Sequence, residues 1–217
     1  MAQVVIGVRG GPEAKSRCDP ALAPTQRARL VEAMLEDMIE VVLATPEVRQ
    51  LWVVTPTREL ASLSAERGAR VIWQADADGL NAGFSLALAA IAAREPLALL
   101  PGDLPLLKSS DLEAALALAL AHDIVLAPAV ADGGTGALVM REGVRLPPSF
   151  GPDSLARHAA IADVLGLSRA VMMTTSLGLD LDRPADFPTI LALGPCTRTA
   201  QSLRAWSPSG RIGPLSR

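Results

Sequence analysis

The sequence predicts an α/β protein: a single three-layer α/β/α domain built on a mostly parallel mixed sheet. Three observations carry that prediction. Short runs rich in Val, Ile and Leu alternate with longer segments of helical periodicity, the pattern of strands joined by crossover helices. Runs such as Leu97-Ala98-Leu99-Leu100 are apolar throughout, as a buried strand is. The chain has 217 residues, half of them apolar, which suffices for one compact domain with a real core. Aromatics make up 3% and Tyr is absent, so that core is built from Ala, Leu, Val and Ile.

Val4 to Val8 is the first strand, followed by a long glycine-bearing loop that carries Arg9, Lys15 and Arg17. Pro24-Thr25 opens a helix in which Leu30, Met34 and Met38 repeat every four residues, flanked by Val31, Leu35, Ile39 and Val42. Thr45-Pro46 ends it. Leu51 to Val54 is the second strand, Arg58 to Arg67 a short helix closed by Gly68, and Val71 to Trp73 the third strand. The turn Asp76-Ala77-Asp78-Gly79 leads into an alanine-rich helix from Leu80 to Arg94, and then into the strand before Asp103. Ser110-Asp111-Leu112-Glu113 fits a capping box for a helix running to about His122. Ile124 to Pro128 and Thr135 to Met140 are strands, Ser154 to Leu165 a helix, Ala170 to Thr174 extended. Leu177 to Asp182 is a short extended piece, and Pro184 to Leu193 the last helix. The connection from Val130 to Leu165 breaks the strand–helix alternation and leaves room for an antiparallel excursion. The folded domain is expected over residues 1–193, with 194–217 a poorly ordered tail.

Composition excludes several classes. Net charge is −3 and there is no basic run with interleaved aromatics, which argues against a nucleic-acid binder. The apolar stretches are too short and too interrupted for a membrane span, and the N-terminus reads as a strand rather than a signal peptide, so a cytoplasmic protein is expected. Cys18 and Cys196 lack metal-like spacing and read as free thiols. A Gly-x-Ser-x-Gly elbow is missing, and the two histidines have no zinc-ligand spacing.

Chemistry concentrates in four stretches. Leu100-Pro101-Gly102-Asp103-Leu104-Pro105-Leu106 delivers one carboxylate at the C-terminal end of a buried strand, where ligands bind in open α/β sheets. Asp103 there is either a site residue or a turn residue. The loop carrying Arg9, Gly10, Lys15 and Arg17 suits an anion, with a solvated surface loop as the alternative. In Leu179-Asp180-Leu181-Asp182, residues two apart face the same way, so both carboxylates point to one side, an arrangement that suits Mg²⁺. The alternative for Asp182 is a cap on the helix at Pro184. Gly133-Gly134-Thr135-Gly136 and Phe150-Gly151-Pro152-Asp153-Ser154 place glycines and hydroxyls where a loop enters a helix. Ser154 can cap that helix while exposed N–H groups bind phosphate or carboxylate. His158, one turn further, packs on the helix or joins the site.

These stretches, with Glu13-Ala14-Lys15-Ser16-Arg17 and Gly79-Leu80-Asn81-Ala82, occur in an order that resembles the CofC/FbiD family over about residues 3–193. Its members are guanylyltransferases of coenzyme F-420 biosynthesis. The resemblance implies a GT-A-like nucleotide-diphospho-sugar transferase fold, related to the enzyme that guanylylates molybdenum cofactor. It implies transfer of GMP from GTP to 2-phospho-L-lactate, phosphoenolpyruvate or 3-phospho-D-glycerate, with release of pyrophosphate. By position, Asp103, Asp180 and Asp182 correspond to the carboxylates that bind Mg²⁺, and Thr135, Gly151 and Ser154 to residues that bind the phosphorylated acid. Arg9, Gly10, Lys15, Arg17 and Asn81 fall where GTP is held, with Lys15 and Asp103 in catalytic positions. A homodimer is left open.

The chain departs from the family in three places. The first strand ends Gly7-Val8-Arg9 where Pro-x-Lys is usual, Gly136 stands for Asn, and Asp153 stands for Gly. Two rival readings accompany the resemblance: another nucleotidyltransferase (of the molybdenum cofactor type, or using CTP), and a nucleotide-binding protein without catalysis.

Overall fold

The structure, a computed structural model, describes residues 1–206 apart from Pro12 and Ala77. Strand β1 (Ala2–Gly7) is buried along its whole length. Val4 and Ile6 enter one hydrophobic layer and Val5 the other, as alternate residues of a strand covered on both faces must. Parallel to β1 run β2 (Val48–Thr55) on one side and β4 (Leu97–Pro101) on the other, and β3 (Arg70–Trp73) extends the sheet beyond β2. Past β4 lie β6 (Thr135–Met140), β5 (Ile124–Pro128) and β7 (Arg169–Val171), giving the order β3-β2-β1-β4-β6-β5-β7. Strand β6 runs antiparallel to both β4 and β5, so the excursion expected after Val130 is a single reversed strand.

Helices cover both faces. Helix α1 (Pro24–Ala44) buries Leu30, Val31, Met34, Leu35, Met38, Ile39 and Val42, the stripe that its spacing predicts. Its layer also takes Leu60 of α2 (Arg58–Glu66), Leu112 of α4 (Ser109–Leu118) and Ile190 of α7 (Phe187–Leu193). The opposite layer is formed by Phe84 and Ala87 of α3 (Leu80–Ala90) and Ala162 of α5 (Ser154–Val164). No helix among the described residues is long and apolar enough to cross a membrane.

Four expectations are corrected. The alanine-rich helix stops at Ala90, because Ile91 turns extended and drives its side chain into the core instead of reaching Arg94. Helix α4 starts at Ser109 with Lys108 as its N-cap. Ser109, not Ser110, donates to Glu113 (2.6 Å), and it accepts from Thr45 at the end of α1. In place of an extended Leu177, a single helical turn α6 (Thr175–Gly178) forms, because the Thr174 hydroxyl accepts from Ser176 N. Finally, the segment expected as tail contains α8 (Arg198–Trp206), docked on α1 through Leu203. Asp37 of α1 is buried and accepts from Arg198 N (2.8 Å), Thr199 N (2.9 Å) and Thr199 Oγ1 (2.7 Å), satisfying the helix start. The rest of that tail, residues 207–217, lies outside the described residues.

The one-turn α6 explains a departure noted above. A Cβ built on Gly136 would lie 1.8 Å from the carbonyl oxygen of Leu177, so β6 and α6 meet backbone to backbone. Asn at this position requires α6 to move. Gly136→Ala is therefore expected to lower stability by about 3 kcal/mol or more, since backbone must yield rather than a flexible side chain. Thermal unfolding of the variant tests this, and an unchanged Tm would refute it.

Candidate active site

Strand β1 leads outward to β2 and β3, whereas β4 pairs on its other side. The crevice between the C-terminal ends of β1 and β4 is thus a topological switch point, where open α/β sheets bind ligands. Three segments converge there. Gly102 donates its N–H to Gly7 O (2.8 Å), which leaves Asp103 just beyond the sheet. A Cβ on Gly102 would come within 2.6 Å of Val8 Cβ, so the close approach needs glycine. Asp103 O accepts from Leu181 N (3.0 Å), and this bond draws the Asp180–Asp182 segment alongside. Leu181 is buried while Asp180 and Asp182 are half-buried, the separation of faces expected from a period of two.

The third segment is the loop after β1. Lys15 sits in the left-handed region (φ 53°) and sends Nζ to Asp103 Oδ2 at 2.9 Å and Asp182 Oδ1 at 3.6 Å. Arg17 reaches Asp182 Oδ2 from the solvent side at 2.5 Å. Burial opposes the Lys15 charge, but Asp103, with Asp182 and Asp180, holds its pKa above the ordinary lysine value. Asp182 is held below the usual carboxylate range, the Lys15 and Arg17 cations overcoming its burial. Asp180 goes the other way: burial, then the nearby Asp103 charge, pushes it up to about 6. Two carboxylates therefore face each other with only part of their charge compensated.

Two cavities open on this cluster. The larger, about 300 Å³, runs from Gly7, Val8 and Arg9 past Lys15 to Gln74 and Gly83. The smaller, about 140 Å³, is lined by Gly134, Thr135, Phe150, Gly151 and Asp180 among others. Asp103 lines both, as do Leu80 and Pro101. Gln74 escaped sequence reasoning, and Gly7 entered it only as a departure at the end of the first strand, not as a lining residue. A Cβ on Gly7 would meet Leu80 Cδ1 at 2.5 Å and fill the floor, and the signal available was a glycine closing the first strand. Gln74 is a buried polar residue just past β3, and its amide donates to Gly79 O (3.1 Å).

Several expected site residues are used differently. Gly10 N–H is committed to Thr57 Oγ1 (3.0 Å), so the loop glycine does not cradle an anion; Arg9 is exposed at the rim of the larger cavity. Asn81 spends its amide clamping the backbone of Phe150, with Nδ2 donating to O (3.0 Å) and Oδ1 accepting from N (2.7 Å). It holds Phe150, which lines the smaller cavity, and lines neither cavity itself. Asp182 does not cap the turn at Pro184; Asp186 does, accepting from Asp182 N and Arg183 N. Lys15 lies between Asp103 and Asp182, and no three His, Cys, Asp or Glu side chains among the described residues gather as a metal-holding group.

The start of α5 is not a free anion site either. Its N-cap is Asp153 (φ 56°), in the left-handed region that glycine adopts without strain, and Asp is among the residues that tolerate it. Ser154 N and Leu155 N donate to Gly151 O and Gly133 O, both at 3.1 Å. The Ser154 side chain is fully buried and donates to Thr135 Oγ1 (3.0 Å), so it stands behind Thr135 instead of lining the cavity. His158 is fully buried too, between Thr135 Oγ1 (2.9 Å) and Ser149 N (2.9 Å), and its imidazole is an integral part of this wall.

Comparison with known proteins identifies the family and the fold. Residues 2–209 match the family described as "Guanylyl transferase CofC like". The chain belongs to that family. A 3-phospho-D-glycerate guanylyltransferase of Phenylobacterium zucineum is 50% identical over 209 residues, covering 94% of this chain and 95% of its own. A phosphoenolpyruvate guanylyltransferase of Nocardia farcinica is 37% identical over 213 residues, covering 94% and 92%. Among solved structures, a nucleotidyl transferase from Methanothermobacter thermautotroptrophicus superposes with a TM-score of 0.65 at 16% identity, covering 94% of this chain and 99% of that one. The fold of this CofC-like chain is thus the nucleotide-diphospho-sugar transferase type that the resemblance implies.

Proposed function

We propose that this chain transfers the guanylyl group of GTP to the phosphate of a small phosphorylated carboxylic acid, releasing pyrophosphate, as a step of coenzyme F-420 biosynthesis. The supporting observation is the place of Asp103 on the wall between a large and a small cavity, with Lys15 fixed against it. Two polyanionic substrates must meet at one point, and that wall is where occupants of the two cavities come together. The names of the relatives favour 3-phospho-D-glycerate and phosphoenolpyruvate over 2-phospho-L-lactate as acceptor.

In this reading a phosphate oxygen of the acid attacks the α-phosphorus of GTP. The bond from that phosphorus to the oxygen bridging to the β-phosphorus breaks, and its electron pair leaves with pyrophosphate. The attacking phosphate is ionised at neutral pH, so no general base is needed, and catalysis is positioning and charge compensation. Lys15 neutralises the leaving pyrophosphate, with Arg9 at the rim and Arg17 on the outer side. Asp182 anchors Lys15 and Arg17. Thr135 and Gly151 receive the acid in the smaller cavity.

Asp103 and Asp180 fit Mg²⁺, which takes one or two carboxylates and fills its other positions with water and phosphate oxygens. The pair lines a shared cavity with only part of its charge compensated by Lys15, and a cation there would compensate the rest. Bound there, the ion would supply Lewis-acid polarisation and charge neutralisation.

Pyrophosphate release measured across the four nucleoside triphosphates, each with and without the three acids, tests the proposal. Release is expected with GTP and one of the acids, yielding a diphosphate-linked guanosine by mass spectrometry. Preference for CTP points to the rival nucleotidyltransferase, and GTP binding without release under any acid points to a non-catalytic protein. Either outcome overturns the proposal.

A further inference from the structure

Thr135 Oγ1 has hydrogen-bond neighbours whose roles can be assigned one by one. Ser149 N–H donates to His158 Nε2 at 2.9 Å, and a nitrogen that accepts carries no proton. A ring that accepts at Nε2 is not the doubly protonated imidazolium, and burial, then the neighbouring Arg157 charge, pushes its pKa the same way, down to about 4. Its one proton is therefore on Nδ1, which donates to Thr135 Oγ1 (2.9 Å). Ser154 Oγ donates to the same oxygen (3.0 Å). Both lone pairs of the threonine hydroxyl are then occupied, and the hydroxyl can act only as a donor. No acceptor for its proton lies among the described residues, and Thr135 lines the smaller cavity.

We infer that His158 is a positioning residue, which through its Nδ1–H tautomer fixes Thr135 as an obligate hydrogen-bond donor to an anionic oxygen of the acceptor. The inference rests on the guanylyltransferase reading for the identity of the occupant, though the tautomer stands on the geometry alone. It also gives a physical reason for a histidine fully enclosed behind Thr135. A residue that only filled space there needs no ring with a donor on one side and an acceptor on the other. The chemistry selects a carboxylate or phosphate oxygen, which only accepts. A neutral hydroxyl, free to rotate, gains less from a fixed donor.

Two variants separate the positioning role from a structural one. Asparagine places its amide near the Nδ1 position, so His158→Asn keeps a donor to Thr135 and loses the acceptor for Ser149. Glutamine reaches the Nε2 position, so His158→Gln keeps the acceptor and loses the donor. With GTP saturating, H158Q is expected to raise the acceptor KM about 10- to 100-fold while H158N stays within about threefold, the GTP KM being unchanged in both. If the two variants raise the acceptor KM equally, or shift the GTP KM as much, the inference is overturned.

Long-range ¹H–¹⁵N spectra of the wild-type protein test the tautomer without any turnover. The chain has two histidines, so either variant assigns the His158 signal. A bare Nε2 and a protonated Nδ1 are expected; a protonated Nε2 overturns the inference even if the enzyme is active. A wild-type chain with the expected tautomer that releases no pyrophosphate with any acid overturns the guanylyltransferase reading, and with it the assignment of the donor to an acceptor.

Discussion

Asp103→Ala is expected to lose about 10³-fold or more of turnover while keeping the fold, and Asp103→Asn nearly as much. Removing one preorganised charge contact at a reacting centre typically costs about 10²- to 10³-fold. Asp103 carries more than one such role: it lines both cavities, holds the Lys15 ammonium, and would share a cation with Asp180. The fold survives because the structural tasks at this position belong to the backbone. Gly102 N bonds Gly7 O, and Asp103 O holds Leu181 N, whatever the side chain. Lys15 also keeps Asp182 as a counter-charge in the variant. Pyrophosphate release and thermal unfolding, measured side by side, check both halves. Near-wild-type turnover sinks the assignment of this crevice as the active site, and a collapsed Tm would show that the side chain is structural.

The parts of this arrangement that were legible in the sequence are those set by local periodicity. The stripe of α1 and the apolar run of β4 each follow from spacing alone, and so does the placing of Leu181 inward with Asp180 and Asp182 outward. What spacing does not carry is which backbone donors are already spent. Gly10 looks like an anion-binding glycine until Thr57, 47 positions away, takes its N–H. Asn81 looks like a ligand residue until its amide is found closed on Phe150, 69 positions away. The start of α5 reads as a phosphate site, yet two of its N–H groups are bonded to loop carbonyls. For Gly10, Asn81 and Leu155 a hydrogen bond to a distant stretch of chain decides, and the sequence shows only that a polar group is present. Helix α8 was missed for a related reason. Much of its start is stabilised by one distant carboxylate, Asp37, and few of its residues are apolar enough to announce a buried face.

Lys15→Met is expected to cost about 10²- to 10³-fold in kcat/KM for GTP, with the acceptor KM little changed, because Lys15 lines the larger cavity and not the smaller. The side chain is 10% exposed and bridges Asp103 and Asp182, so its loss leaves the carboxylates facing one another with Arg17 on the outer side. Breaking a fully buried pair by removing one partner costs about 3–5 kcal/mol. Here the carboxylates are each 28% exposed and water shares the burden, so a loss of about 1–2 kcal/mol is expected. Lys15→Arg does not restore activity, since the planar guanidinium fork cannot occupy the space of a compact ammonium set between two carboxylates. Separate KM values for GTP and acid, with denaturant unfolding of each variant, check the set. An acceptor KM that rises as steeply as that for GTP would place Lys15 at the junction of both substrates and refute its assignment to the nucleotide phosphates.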